Sequence, residues 1–192
     1  MAQKQFAVHG YSTTSVRAIT SEAGVDAAMV RHHFGGKKQL YREAVLAEVE
    51  ATIDALIASL QGRLGASPRP ALEVVRGYFD LWEAADSAQT FSAVLRSAWE
   101  DDDSRRALVD LQATKISGAL ASLGWDAVPR PIFTVAMSQL LGVALTRYVI
   151  QMEPVAELDR TALDQLCAVT MESLIGPYLS GSAGHLRSTS ST

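Results

Sequence analysis

The sequence predicts an all-α protein of about nine helices, in which a small N-terminal unit built on a helix-turn-helix precedes a larger helical bundle. Three observations lead there. Apolar residues recur at helical spacing in almost every segment, and no alternating strand pattern of useful length occurs. Clusters of Gly, Pro, Ser and Asp break the chain at helix-length intervals. The 192 residues are 48% hydrophobic, enough for a buried core.

The elements follow in order. "TTSVRAITSEAG" offers Thr13 or Thr14 as an N-cap, sets Val16, Ile19 and Ala23 on one helical face, and ends at Gly24. "VDAAMVRHHF" reads as a second short helix capped by Asp26, with Met29, Val30 and Phe34 among its buried positions. Two short helices joined through Gly24 and Val25 make a helix-turn-helix, a motif whose second helix lies in the major groove of DNA. From Gln39 to Leu60 the apolar positions Leu40, Ala44, Ala47, Ala51, Leu56 and Leu60 continue the helical spacing. "GRLGASPRP" breaks the chain, and Pro70 opens "ALEVVRGYFDLWEAA" where its missing N–H costs nothing. "DSAQ", Asp86 to Gln89, starts the helix that carries Phe91, Val94, Leu95 and Ala98. "DDDS", Asp101 to Ser104, starts "RRALVDLQATKISGALASL" and sets negative charge at the positive end of a helix dipole. After "GWDAVPRP" come an apolar helix from Pro131 to about Gln151 and a last helix from about Asp159 to Leu179. The last helix is striped by Ala162, Leu163, Leu166, Cys167, Thr170, Leu174 and Ile175. Residues 181–192 have no periodicity and read as a flexible tail.

Composition narrows the function classes. Cys167 is the only cysteine, so no internal disulfide or Cys-rich metal site can form, and a reducing cytoplasm fits. The longest uncharged run, Pro131 to Thr146, has 16 residues, fewer than the ~20 of a spanning helix, and reads as a buried helix in a soluble chain. No basic segment followed by an apolar stretch opens the sequence, so a secretory signal is not expected. Net charge is −4 overall, yet residues 1–46 hold six Lys/Arg against three acidic residues, while the other 146 hold 11 basic and 18 acidic. A basic head on an acidic body suits an anionic partner for the head.

The head also carries the chemistry for such a partner. Arg31, His32 and His33 lie on the second helix, with Lys37 and Lys38 at the start of the next, where backbone N–H groups and Lys clamp phosphate. Thr14 and Ser15 give a second candidate phosphate contact at a helix start. Adjacent histidines point about 100° apart, whereas zinc-binding helices place them at i and i+4, so His32-His33 is read as DNA contact or packing and no metal is expected. Asp101 to Asp103 reads as a cap and solvated acidic run. No Gly-rich phosphate loop, G-x-S-x-G or nucleophile–base pairing argues for catalysis, and no cofactor is implied.

"HGYSTTSVRAITSEAGVDAAMVRHHFGGKKQLYREAV" resembles the DNA-binding domain of TetR-family transcriptional regulators. The matching pieces are Gly10-Tyr11, Thr14-Ser15-Val16, Ile19, Ala23-Gly24-Val25, His33-Phe34 and Gly35-x-Lys37-x-x-Leu40. The resemblance implies a DNA-binding head over residues 1–46, a helical ligand-binding and dimerisation domain over 47–180, and a homodimer acting on an operator. Family members carry a longer first helix, of which "MAQKQFAVHG" corresponds to the last part, so the first helix is expected to be truncated. Candidate DNA-binding residues are Thr14, Ser15, Arg17, Ala27, Met29, Arg31, His32, His33 and Lys37. Arg31 stands where an aromatic or histidine is common and has the geometry to read guanine; contact with phosphate alone is the alternative.

Aromatic residues concentrate in two consecutive helices of the body. Tyr78, Trp82, Phe91, Leu95, Trp99, Phe133 and Met137 are candidates for lining a cavity for an apolar small molecule, and plain core is the alternative for each. Gly142 and Ala144 permit close approach, so the last two long helices are the expected dimer interface. The expected function is a repressor whose operator binding is relieved by a small, largely apolar ligand. An activator or ligand-independent DNA-binding protein, an all-helical enzyme and a protein-interaction module remain the alternatives.

Overall fold

The structure, a computed structural model, describes residues 1–64, 67–84 and 87–185. Among them are eleven α-helices and no strand: α1 (Ala2–Thr13), α2 (Val16–Ala23), α3 (Ala27–Phe34), α4 (Lys37–Tyr41), α5 (Ala47–Leu64), α6 (Pro70–Glu83), α7 (Ser87–Glu100), α8 (Asp102–Ser122), α9 (Arg130–Ala144), α10 (Glu153–Ala156) and α11 (Arg160–His185). π-helical turns at Arg42–Leu46 and Leu145–Ile150 join α4 to α5 and extend α9. The all-α expectation holds, with a few more helices than the nine foreseen. The tail shortens, because α11 continues to His185; the rest of it, residues 186–192, lies outside the described residues, as does the predicted cap Asp86.

The chain forms two compact units. Residues 1–54 with 84–115 make the first, and residues 55–83 with 116–192 the second. The basic head is thus completed by α7 and the first two thirds of α8, from sequence far downstream. The physical reason is the core it shares with them: Phe6, Tyr11, Ile19, Val30, Leu40, Tyr41 and Val45 are buried together with Val94 and Ala107. At its centre Tyr11 and Tyr41 meet edge to face at 5.0 Å, and Phe6 meets Tyr41 the same way at 5.2 Å, a geometry that adds to the burial itself. Lys115 closes this unit on its surface by pairing with Glu50 at 2.8 Å and Asp54 at 2.7 Å.

In the second unit α6, α9 and α11 pack on one another. Val75, Phe79, Ala136, Leu140, Ala144, Ala168, Met171 and Ile175 are buried there. Arg160 ties the unit together: it pairs with Asp80 at 3.0 Å, with Glu83 and with the buried Asp164, and donates to the Arg76 carbonyl at 2.9 Å. Arg147 of the second π-turn donates to the carbonyls of Val155 and Leu158, both at 2.8 Å.

Two expectations for this unit are corrected. The apolar helix runs from Arg130 to Ile150, 21 residues, long and apolar enough to cross a membrane by length and composition. It is also not a buried helix, since only 22% of its apolar window is covered. One face, carrying Phe133, Ala136, Leu140 and Ala144, packs inward, while Val135, Val149 and Ile150 stay exposed. Ala144 is therefore spent on internal packing, whereas Gly142 is exposed with open space around it.

Candidate nucleic-acid interface

The helix-turn-helix is built by local rules. Ser15, rather than Thr13 or Thr14, caps α2, its Oγ accepting the Ala18 N–H at 3.1 Å. Gly24 ends α2 in the left-handed region (φ 68°), where any side chain is strained. Asp26 then caps α3 by accepting the Ala28 N–H at 2.7 Å. Gly35 closes α3, again left-handed (φ 70°), and Gly36 (φ 149°) leads straight into α4.

On α3 the inner face is Val30, buried, with Ala27 and Phe34 half-buried, the i, i+3, i+7 set of a helix laid on a core. The outer face carries Ala28, Met29, Arg31, His32 and His33, all exposed. Met29 is thus corrected from a buried position to an outward one, 50% exposed. The His32 and His33 rings sit edge to face at 5.1 Å. Arg17 on α2 is exposed, and Ala23 lies outside the core that Ile19 enters.

Two predicted phosphate contacts are changed by their surroundings. Thr14 is buried, and its hydroxyl donates to the Gly10 carbonyl at 2.7 Å and the Gln5 carbonyl at 3.1 Å, so its side chain holds α1. What remains for an anion there is the N–H set at the start of α2. Lys37 is half-buried, donates to the Ser12 carbonyl at 3.1 Å, and lies 4.5 Å from the centre of the Tyr11 ring. Burial lowers its pKa, with Asp101 opposing. Lys38 pairs with Asp103 at 2.9 Å, and hydrogen bonds from Lys38 and Arg106 hold the Asp103 carboxyl below the usual range.

The first helix is anchored by long-range contacts that the sequence did not foretell. Gly10 adopts φ 79°, ψ 168° inside α1 and kinks it. A Cβ there would lie 3.2 Å from a Glu100 carboxylate oxygen. The Tyr11 N–H released by the kink is buried and donates to Ser97 Oγ at 3.3 Å. Contacts of this kind join residues some 90 positions apart, which local sequence patterns do not reveal.

The candidate pocket residues fall into different units. Tyr78, Trp82, Phe133 and Met137 belong to the second, and Phe91, Leu95 and Trp99 to the first. Trp82 stacks on Tyr148 at 5.9 Å, and burial pushes the Tyr78 phenol up to about 12 against a hydrogen bond from Trp82. Phe133 meets Trp125 at 6.3 Å. Phe91 packs against the core of the first unit, and Trp99, 75% exposed, lines no interior. A groove of about 320 Å³ in the first unit is lined by other residues, among them Arg42, Leu46, Glu50 and Asp110. Among the described residues no group of three His, Cys, Asp or Glu could hold a metal ion.

Residues 1–44 match the family model described as bacterial regulatory proteins of the tetR family, and residues 71–175 match that described as the tetracyclin repressor-like C-terminal domain. The chain is also similar to the solved structure of a TetR-family regulator from Streptomyces coelicolor A3. The two share 27% identity and a TM-score of 0.62 over 91% of this chain and 90% of that one. The curated proteins contain no match.

Proposed function

Because the chain belongs to the TetR family of DNA-binding transcriptional regulators and is not an enzyme, we propose that it is a repressor whose grip on its operator is released by a small, largely apolar ligand. The observation that carries the DNA half of this reading is the outer face of α3, where Arg31, His32 and His33 project from a helix held by Val30 and Phe34. α3 enters the major groove, with Arg31 bidentate to a guanine and the histidines on bases or groove walls. Ser15, Arg17 and Lys37 serve phosphates at the adjoining helix starts, Lys37 after giving up its Ser12 carbonyl.

Residues 47–180 take the ligand and the partner copy in this reading. Tyr78, Trp82, Phe133 and Met137 are the pocket candidates, apolar bodies with two polar tips. The protein acts in the cytoplasm as a homodimer through α9 and α11, so that two heads meet two half-sites ~34–36 Å apart. Ligand favours a state whose heads no longer match that spacing, and DNA and ligand then weaken each other by the same factor.

The test is fluorescence anisotropy on the gene's own upstream duplex, with a scrambled duplex as control, at two salt concentrations. Tight binding to the upstream duplex alone, reversed by a compound found in a thermal-shift screen, is the expected result. Equal, weak binding to both duplexes overturns the autoregulated-repressor reading.

A further inference from the structure

In a helix-turn-helix the first residues of the recognition helix approach the base edges. Here that stretch has an unusual surface. Val25 is 42% exposed and Met29 50% exposed, Ala28 is exposed and Ala27 half-buried. Asp26, the only strongly polar side chain among them, spends Oδ1 on the Ala28 N–H at 2.7 Å. Every side chain with a hydrogen-bond donor on α3 lies further along, at Arg31, His32 and His33. Apart from the Asp26 carboxylate, whose Oδ1 is held on the cap, residues 25 to 29 offer methyl and methylene groups and the weak thioether acceptor of Met29.

Of the four base-pair orientations in the major groove, those with thymine present an apolar group, the C5 methyl; guanine, cytosine and adenine present only donors and acceptors there. An apolar surface set against a donor or acceptor edge strips its water without replacing the bond, a penalty that thymine's methyl avoids. We infer that Val25, Ala28 and Met29 are specificity-determining residues that read thymine methyl groups, so that each half-site carries thymine at the bases facing the start of α3 and guanine only where Arg31 arrives. The inference rests on α3 being the base-reading helix, and adds what that helix reads.

The experiment uses the full chain. A specific duplex is first selected from a randomised pool, and each thymine of its half-site is then replaced by uracil, which removes the methyl and leaves the pairing intact. At one or two positions per half-site uracil weakens binding about four-fold, the value of one buried CH₂. In Met29→Ala, which keeps a good helix former at an exposed position, the uracil penalty shrinks at the base that Met29 covers. Specific binding that is indifferent to every uracil overturns this inference and leaves the DNA-binding reading standing. Failure to select any duplex overturns that reading, and this one with it.

Discussion

A single guanidinium and a single ammonium, both basic and both on the head, are set to do different things. Arg31 is exposed on the outer face of α3, with no side of it committed to the core. Replacing it with Ala should weaken the specific site by ~1–3 kcal/mol and relax the preference at one base pair, leaving random DNA nearly unaffected. Competition anisotropy with single-base variants of the operator reads both effects; equal loss on specific and random duplexes would place Arg31 on phosphate. Lys37 contrasts with it, being half-buried beneath the Ser12 carbonyl and the Tyr11 ring. If it reaches phosphate as proposed, Lys37→Ala flattens the slope of log K against log salt by about one unit on every sequence. An unchanged slope, accompanied by a lower Tm, would leave Lys37 as a strut of α1 alone. How legible these residues were depends on how local their determinants are. Asp26 and Gly24 could be read directly, because a cap and a left-handed terminator are set within four residues of chain. Thr14 and Met29 could not. Thr14, between α1 and α2, is turned inward by the Gly10 and Gln5 carbonyls of α1. The eight-residue α3 has barely two turns, so which of its sides faces inward is decided by the elements packed on it, which the local sequence does not name.

Helices in this protein are positioned by what interrupts them. Gly10 breaks α1 so that its last turn redirects, freeing the Tyr11 N–H for Ser97 and seating Tyr11 against Tyr41. Gly10→Ala would force a left-handed, extended backbone on a residue with a Cβ, 3.2 Å from the Glu100 carboxylate. The expected cost is ~1–3 kcal/mol. Gly118 inside α8 carries the same substitution to the opposite sign, since nothing lies within 4 Å of its Cβ position; Gly118→Ala should stabilise by ~0.5–1 kcal/mol. Denaturant melts of the two variants measure the contrast, and a neutral Gly10→Ala would show that the kink does not hold the head together. Most helices were legible from helical spacing and from Pro70, Asp101 and Gly24, but not the four-residue α10, which is too short to show a helical period. The joining of α7 to the head was not, because Val94 and Ala98 look the same in sequence whichever core they enter.

For the whole molecule, the deciding feature is apolar surface that one chain does not cover. Val135, Val149 and Ile150 on the long apolar helix and Leu166 and Val169 on α11 are 45–64% exposed. Single exposed apolar residues are common, but two long helices of one unit each carrying a row of them is the pattern of a self-complementary contact. Leu166 and Val169 are three residues apart, so they share a face of α11, away from the buried Leu163, Cys167 and Met171. The double variant Leu166→Glu, Val169→Glu puts four like charges at the middle of the proposed two-fold interface and none in the core. Light scattering should then give the mass of one chain where the parent gives two, with the circular-dichroism melt retained. Specific DNA affinity should fall steeply, because the two half-site energies no longer act on one molecule, while weak binding to random duplex persists. A variant that stays dimeric would move the interface off α11. One that turns monomeric yet keeps full operator affinity would show that a single head suffices, and with it would go the half-site spacing as the quantity a ligand controls.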